Sequence, residues 1–154
     1  MARRGPPVPA RTGPSHPGAD QAAYADIDDT IRRTHGYAKQ GAGYGYSKGK
    51  GLNALLGVVS TPLSAPVITA TRLRKGPSNS ARGAAAFVAE TIRTARACGA
   101  NGLLVLRADS AFYSADVINA CRALDARFSI TMRMNASVKA TIARIDEDAW
   151  TPIK

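Results

Sequence analysis

Three carboxylates fall within four positions of the stretch ADIDDTI (Ala25–Ile31): Asp26, Asp28 and Asp29. A fourth, Asp109, stands 81 residues after Asp28, just beyond the apolar run LLVL (Leu103–Leu106). Like charges so close together repel, and a cation, a phosphoryl group or water must make the crowding tolerable. The chemistry these residue types suit is metal-dependent phosphoryl transfer. Two Mg²⁺ ions roughly 3.5–4 Å apart can activate a nucleophile and stabilise a leaving oxygen. Mg²⁺ takes hard carboxylate ligands and keeps several waters. Such a site needs acids from different strands that converge within positive surroundings. Taken singly, Asp28 reads as a strand-end residue and Asp109 as a helix cap. Taken together on neighbouring strands, they read as metal ligands.

The positive surroundings are present. The chain carries a formal charge of +10 and a pI of about 10.2, the footprint of a protein that meets a polyanion, nucleic acid first among them. Between Arg32 and Arg107 there are twelve Lys or Arg and one acid, Glu90. A basic middle is thus bracketed by Asp28 and Asp109. Its loop GAGYGYSKGKG (Gly41–Gly51) looks like a phosphate cradle but fails the template: Gly49-Lys50 is followed by Gly51, and Tyr44 stands five before Gly49. Tyr37, Tyr44 and Tyr46, interleaved with Lys39, Lys48 and Lys50, could instead stack on bases and pair with phosphates, or form a solvated loop.

Other chemistries find less support. Cys98 and Cys121 lie in alanine-rich helical patterns and read as buried, reduced thiols, and no Cys/His spacing suits zinc. No apolar run is long enough to span a membrane, and the opening lacks the apolar core of a secretory signal, so a cytoplasmic protein is expected. Residues 1–20, rich in Pro, Gly and Arg, read as a disordered arm preceding one domain over 21–154.

The elements that must position the acids follow from periodicity. Tyr24–Ile31 and Leu52–Ser60 read as strands, separated by a loop from His35 to Gly51. Turn chemistry fills 61–66, and Val67–Leu73 alternates as a third strand. GPSNS (Gly76–Ser80) supplies a break and an N-cap for a helix over Ala81–Cys98. Its inner face is Phe87, Val88, Thr91, Ile92 and Ala95, and Gly99 stands at its C-cap. Leu103–Leu106 is a central parallel strand that delivers Asp109. A helix over Ala115–Leu124 follows, with Val117, Ile118 and Cys121 inward. Phe128–Met134 is a fifth strand, and Asn135 caps a helix over 136–145. The order is βββαβαβα: an antiparallel meander, then right-handed crossovers with parallel pairing. The simplest closure sets the first strand beside the fourth, which brings Asp28 against Asp109.

Two family resemblances bear on the acids. Asp26-Ile27-Asp28-Asp29-Thr30 resembles the first motif of haloacid-dehalogenase-like phosphatases, which would make Asp26 the nucleophile and Asp28 the acid/base. The strand before it is weakly apolar and the later motifs do not match. Over Tyr24–Lys154 the chain resembles the DDE transposases of bacterial insertion sequences. The motifs are D-x-T at Asp28–Thr30, K-G-x-x-x-L at Lys50–Leu55 and R-A-D-S-x-F at Arg107–Phe112.

That resemblance implies an RNase H-like α/β fold: an incomplete mixed five-stranded sheet with flanking helices. It also implies Mg²⁺ (or Mn²⁺), DNA as partner, and a possible homo-oligomer in the full-length family. Carried over, the catalytic and metal-binding acids fall on Asp28 and Asp109, with Asp26 in reserve on the same strand face. Asp29 points the other way. Lys48, Lys50, Arg72, Arg74 and Lys75 are the expected phosphate contacts. The family's third acid, a glutamate in a Tyr–Arg–Glu–Lys type signature, has no counterpart among Asp116, Asp125, Asp146, Glu147 and Asp148. The expectation is a fragment of a catalytic core, inactive alone. A phosphatase and a non-catalytic DNA-binding remnant remain the alternatives.

Overall fold

Alternation along the strands decides which side of the sheet is covered. In a computed structural model, residues 16–36, 39–45 and 48–151 are described. Among them are strands β1 (Ala22–Arg33), β2 (Gly43–Tyr44), β3 (Lys50–Thr61), β4 (Ser64–Lys75), β5 (Leu103–Ala108) and β6 (Arg127–Ile130). Three helices accompany them: α1 (Ala84–Ala97), α2 (Ala115–Ala123) and α3 (Ala136–Ile142). On β3 every second residue is buried, from Gly51 through Asn53, Leu55, Gly57 and Val59 to Thr61. On β1 the buried set is Ala23, Ala25 and Ile27. α1 lays Phe87, Val88, Thr91, Ile92 and Ala95 on this face, the five residues expected from the 3.6 period, and α2 adds Val117 and Cys121. Leu104 and Leu106 complete the layer.

The sheet order is β4-β3-β1-β5-β6, with β2 also paired to β3. β1 runs antiparallel to β3 and parallel to β5, and β5 runs parallel to β6. The strand order and directions are those the sequence implied, with the first long strand beside the strand that ends at Ala108, but the sheet has six strands rather than five because the two-residue β2 forms inside the expected loop. No helix among the described residues is long and apolar enough to cross a membrane.

Helix α1 sits close to the sheet because Gly57 has no side chain. A Cβ there would come within 2.4 Å of Thr91 Oγ1, whose hydroxyl donates to the Phe87 carbonyl. Gly57→Ala should therefore destabilise by about 1–3 kcal/mol through overpacking, read as a lower urea midpoint at unchanged m-value. At the other end of α1 the chain stops in a Schellman turn. Gly99 adopts φ 99°, its N–H donates to Arg96 O, and the Ala100 N–H donates to Ala95 O.

Several boundaries differ from the sequence reading, each for a local reason. β4 starts at Ser64 and leaves only Pro62-Leu63 as the turn, because Pro66 lies on a strand paired to β3 alone, where its missing N–H costs nothing. α1 starts at Ala84 rather than Ala81. Its N-cap is Gly83 at φ 72°, without a side-chain cap, since Ser80 is engaged elsewhere. β6 ends at Ile130, and α3 ends at Ile142 with no buried residue; Asn135 Oδ1 accepts from the Val138 N–H as expected.

Of the expected arm, residues 1–15 lie outside the described residues, as do Tyr37 and Tyr46. His16–Asp20, by contrast, is folded onto the sheet. Ala19 is buried, the Thr61 hydroxyl donates to Pro17 O, and His16 Nε2 lies 2.8 Å from Ser64 Oγ.

The two cysteines also part company. Cys121 is buried, and burial pushes its thiol up from an ordinary 9.0 to about 11. Cys98, at the C-cap of α1 rather than on its inner face, is exposed. A thiol-disulfide dye at pH 8 should label one thiol in the native protein and the second only after unfolding. Because the buried thiol resists ionisation, Cys121 leaves stability intact below pH 9.0 and lowers it as pH climbs from there through about 11.

Candidate functional site

β1 and β5 run parallel with Asp26 opposite Arg107 and Ile27 opposite Ala108. Continued by one residue, that register sets Asp28 beside Asp109, where β5 ends and a one-turn 3₁₀ helix (Ser110–Phe112) begins. Neighbouring strands are about 4.8 Å apart. The two carboxylates line the same cleft of about 610 Å³, and a second one that opens on the side of Arg107, Ser129 and Thr131. This is the convergence the strand order predicted.

Each carboxylate is held by one local bond. Asp28, exposed on the uncovered face, accepts the Asp29 N–H on Oδ1 at 2.7 Å. Asp109 Oδ1 accepts the Ala111 N–H at 2.9 Å and caps the 3₁₀ turn. Among the described residues neither Oδ2 has a hydrogen-bond partner. Two hard oxygen donors thus face one open, solvated cleft.

Asp26 shares the face of Asp28, but its charge is already answered. Arg107 Nε and Nη2 donate to its two oxygens, each at 2.7 Å, and the guanidinium lies 4.5 Å from the centre of the Tyr24 ring. The Asp26 hydrogen bond, opposed by desolvation, holds Arg107 above its usual value. Among the described residues no set of three His, Cys, Asp or Glu converges tightly enough to hold a metal ion.

Asp29 points to the covered side and is 92% withdrawn from solvent. Its Oδ2 accepts from Asn53 Nδ2 at 2.7 Å and from the Ser80 hydroxyl at 2.7 Å, with Arg74 Nη2 at 3.4 Å. Arg74 also donates to Asn53 Oδ1, at 2.9 Å from Nε and 2.6 Å from Nη2, and to the carbonyls of Asn79 and Arg82. Burial lowers the Arg74 value, opposed by the Asp29 charge. The network ties β1, β3 and β4 to the loop 76–83, whose residues Pro77–Ser80 form one wall of the cleft.

The expected DNA contacts divide accordingly. Arg74 is withdrawn into this network, a correction to its expected place on the surface: Asn53 stands directly opposite it and the side chain follows the inward face of the sheet. Arg72 pairs with Glu90 and lies 5.4 Å from the centre of the Phe87 ring. Lys48 is exposed at φ 55°, Lys50 is half-buried at the start of β3, and Lys75 is exposed at the end of β4. These three lie beyond Asp28 at the same end of the sheet, since Leu52 pairs with Lys75 and Lys50 with Tyr44.

Sequence reasoning missed Asn53, Ser80 and Arg133 as residues around the site. Asn53 had a signal, a lone amide in the inward-facing set of β3. Ser80 and Arg133 had none, because their roles depend on where loops arrive.

The chain matches the family model described as transposase DDE domain group 1 over residues 10–154. Two solved structures are similar. The Mos1 transposase paired-end complex with left transposon end is 11% identical, at a TM-score of 0.42, covering 96% of this chain and 60% of that one. The Mos1 strand transfer complex is 14% identical, at a TM-score of 0.36, covering 82% and 41%. This chain therefore spans 60% or less of the length of either. No curated protein matches it.

Proposed function

The chain belongs to the transposase DDE domain group 1 family, and from that premise we propose that it carries two metal-binding acids, Asp28 and Asp109, of a centre for DNA cleavage and strand transfer. The observation that supports this reading is the parallel register of β1 and β5, which sets two carboxylates remote in sequence side by side at a strand end. The donor set fits Mg²⁺ or Mn²⁺. Both are oxygen ligands, both face an open cleft, and Mg²⁺ is commonly held by one or two carboxylates with waters and substrate phosphates completing its shell. When bound, the metal supplies charge for the attacking and leaving oxygens of a phosphodiester.

The chain's own residues do the rest. Asp28 and Asp109 hold their free oxygens toward the cleft. Arg107 keeps Asp26 neutralised, so Asp26 would join the metal shell only on releasing that guanidinium. Lys48, Lys50 and Lys75 contact DNA phosphates, and Arg72 does so on exchanging Glu90 for a phosphate. Arg74 contributes through the loop it anchors. The same pairing argues against a phosphatase in which Asp26 attacks, because both of its oxygens are engaged.

One observation favours a second reading, a DNA-binding remnant without catalysis: the described residues bring two carboxylates together and not three. On either reading DNA is bound, in the cytoplasm. With two acids, weak DNA binding and little strand transfer are expected of this chain alone. Mn²⁺ titration followed by electron paramagnetic resonance, with nicking of supercoiled DNA in Mg²⁺, separates the outcomes. Saturable Mn²⁺ binding supports the metal centre, DNA binding without Mn²⁺ binding supports the remnant, and neither would end both readings.

A further inference from the structure

We propose that Arg133 is the phosphate-binding side chain of this cleft, gripping a non-bridging oxygen of a DNA phosphodiester in the space it shares with Asp28 and Asp109; the inference rests on the metal-centre reading above. The segment that carries Arg133 is placed by the sheet. The Thr131 N–H donates to Ala108 O at 3.1 Å, extending the β5–β6 pairing one residue past Ile130. The chain thus leaves the sheet next to Asp109, and two residues later Arg133 reaches the wall of the 610 Å³ cleft that Asp28 and Asp109 also line.

The arginines around the site have internal partners. Arg72 is given to Glu90, Arg74 to Asp29 and Asn53, and Arg107 to Asp26. Arg133 is exposed, and among the described residues it makes no hydrogen bond or ion pair, although three carboxylates line its cleft: Asp29, engaged by Asn53, Ser80 and Arg74, and Asp28 and Asp109, each with an oxygen to spare. A guanidinium and two carboxylates that line one cleft without closing on each other leave space for a ligand that answers both signs. A bare divalent cation answers the carboxylates and repels the guanidinium. A bare anion does the reverse. A metal-bound phosphodiester answers both, and the planar guanidinium can present two N–H donors to its oxygens.

The flanking residues point to a nucleotide chain rather than a small phosphate. Met132 and Met134 are 42% and 59% exposed, which offers polarizable apolar surface to sugar and base on either side of the gripped phosphate.

The test compares the full chain with Arg133→Ala, Arg133→Lys and Arg122→Ala. The last is a control at the far end of α2, beside the start of β6. Fluorescence anisotropy with a labelled DNA duplex in Mg²⁺ is run over a salt series, and Mn²⁺ binding is measured on the same proteins. Arg133→Ala is expected to weaken DNA binding about ten-fold and to reduce the slope of log K against log salt by about one. Arg133→Lys should restore the slope but only part of the affinity, because the fork is lost. Arg122→Ala should change neither, and Mn²⁺ binding should persist throughout.

If the parent chain binds DNA and Mn²⁺ but Arg133→Ala matches it in affinity and slope, the Arg133 assignment is overturned and the metal centre stands. Loss of Mn²⁺ binding in Arg133→Ala would show a structural role and overturn it equally. If the parent chain binds no Mn²⁺, the metal-centre reading fails and takes the phosphate grip with it.

Discussion

Asp28→Asn and Asp109→Asn should each weaken Mn²⁺ binding by at least about 100-fold, with the thermal midpoint nearly unchanged. Altering residues outside the ligand shell already costs roughly 10–100-fold in metal affinity, and a ligand costs no less. Asparagine keeps the shape and one oxygen but removes the negative charge that a hard cation requires. The fold should tolerate both changes. Asp28 is exposed, and the asparagine oxygen can still accept from the Asp29 and Ala111 N–H groups. Asp26→Asn offers the contrast. It strips Arg107 of its ion pair and leaves Mn²⁺ binding within a few-fold of the parent, because Asp26 is already committed. Titration of the three variants checks the set. Equal losses at all three positions would mean diffuse attraction by an acidic strand, and no loss at Asp109 would dissolve the two-strand site.

The second large effect concerns Asp29, the acid tied into the Arg74 network. Asp29→Ala should destabilise the protein by about 3–5 kcal/mol, since it leaves Arg74 charged and without its carboxylate in a setting where both side chains are 90% or more shielded. That is a large share of the 5–15 kcal/mol typical of a single domain. Ser80 and Asn53 would lose an acceptor at the same time. The double variant Asp29→Ala/Arg74→Met should recover part of the loss, because removing both charges is cheaper than stranding one. Urea midpoints for the two single variants and the pair give the coupling directly. A loss below about 1 kcal/mol for Asp29→Ala would mean the pair is solvated and the network incidental.

The framework was legible because its rules are about the backbone. The right-handed crossover forces β5 parallel to its neighbours, and with three antiparallel strands already in a row the free side of β1 is its natural place. Period 3.6 on Phe87, Val88, Thr91, Ile92 and Ala95, and period 2 around Asp26 and Asp28, then fix which side chains share a face. What stayed hidden involved long-range polar partners. Arg74 reads in sequence as one more surface cation because its partners, Asn53 opposite it and Asp29 beside it, are 21 and 45 residues away. Ser80 looked like a helix cap, yet its hydroxyl has a better partner in Asp29, so α1 begins three residues later than expected. Nothing in MRMNAS (Met132–Ser137) announces that the segment carrying Arg133 returns to the end of β5.

The pairing of β1 with β5 also sets a timetable. The meander of β1, β3 and β4 is available for zipping together as soon as Lys75 is made, but the neighbour on β1's other flank does not exist until residue 108. At roughly 5–20 residues per second, the 81 residues from Asp28 to Asp109 take about 4–16 s to synthesise. For that interval the nascent chain holds a long strand with one bare hydrogen-bonding edge, and Asp28 stands without the carboxylate that will later share its cleft.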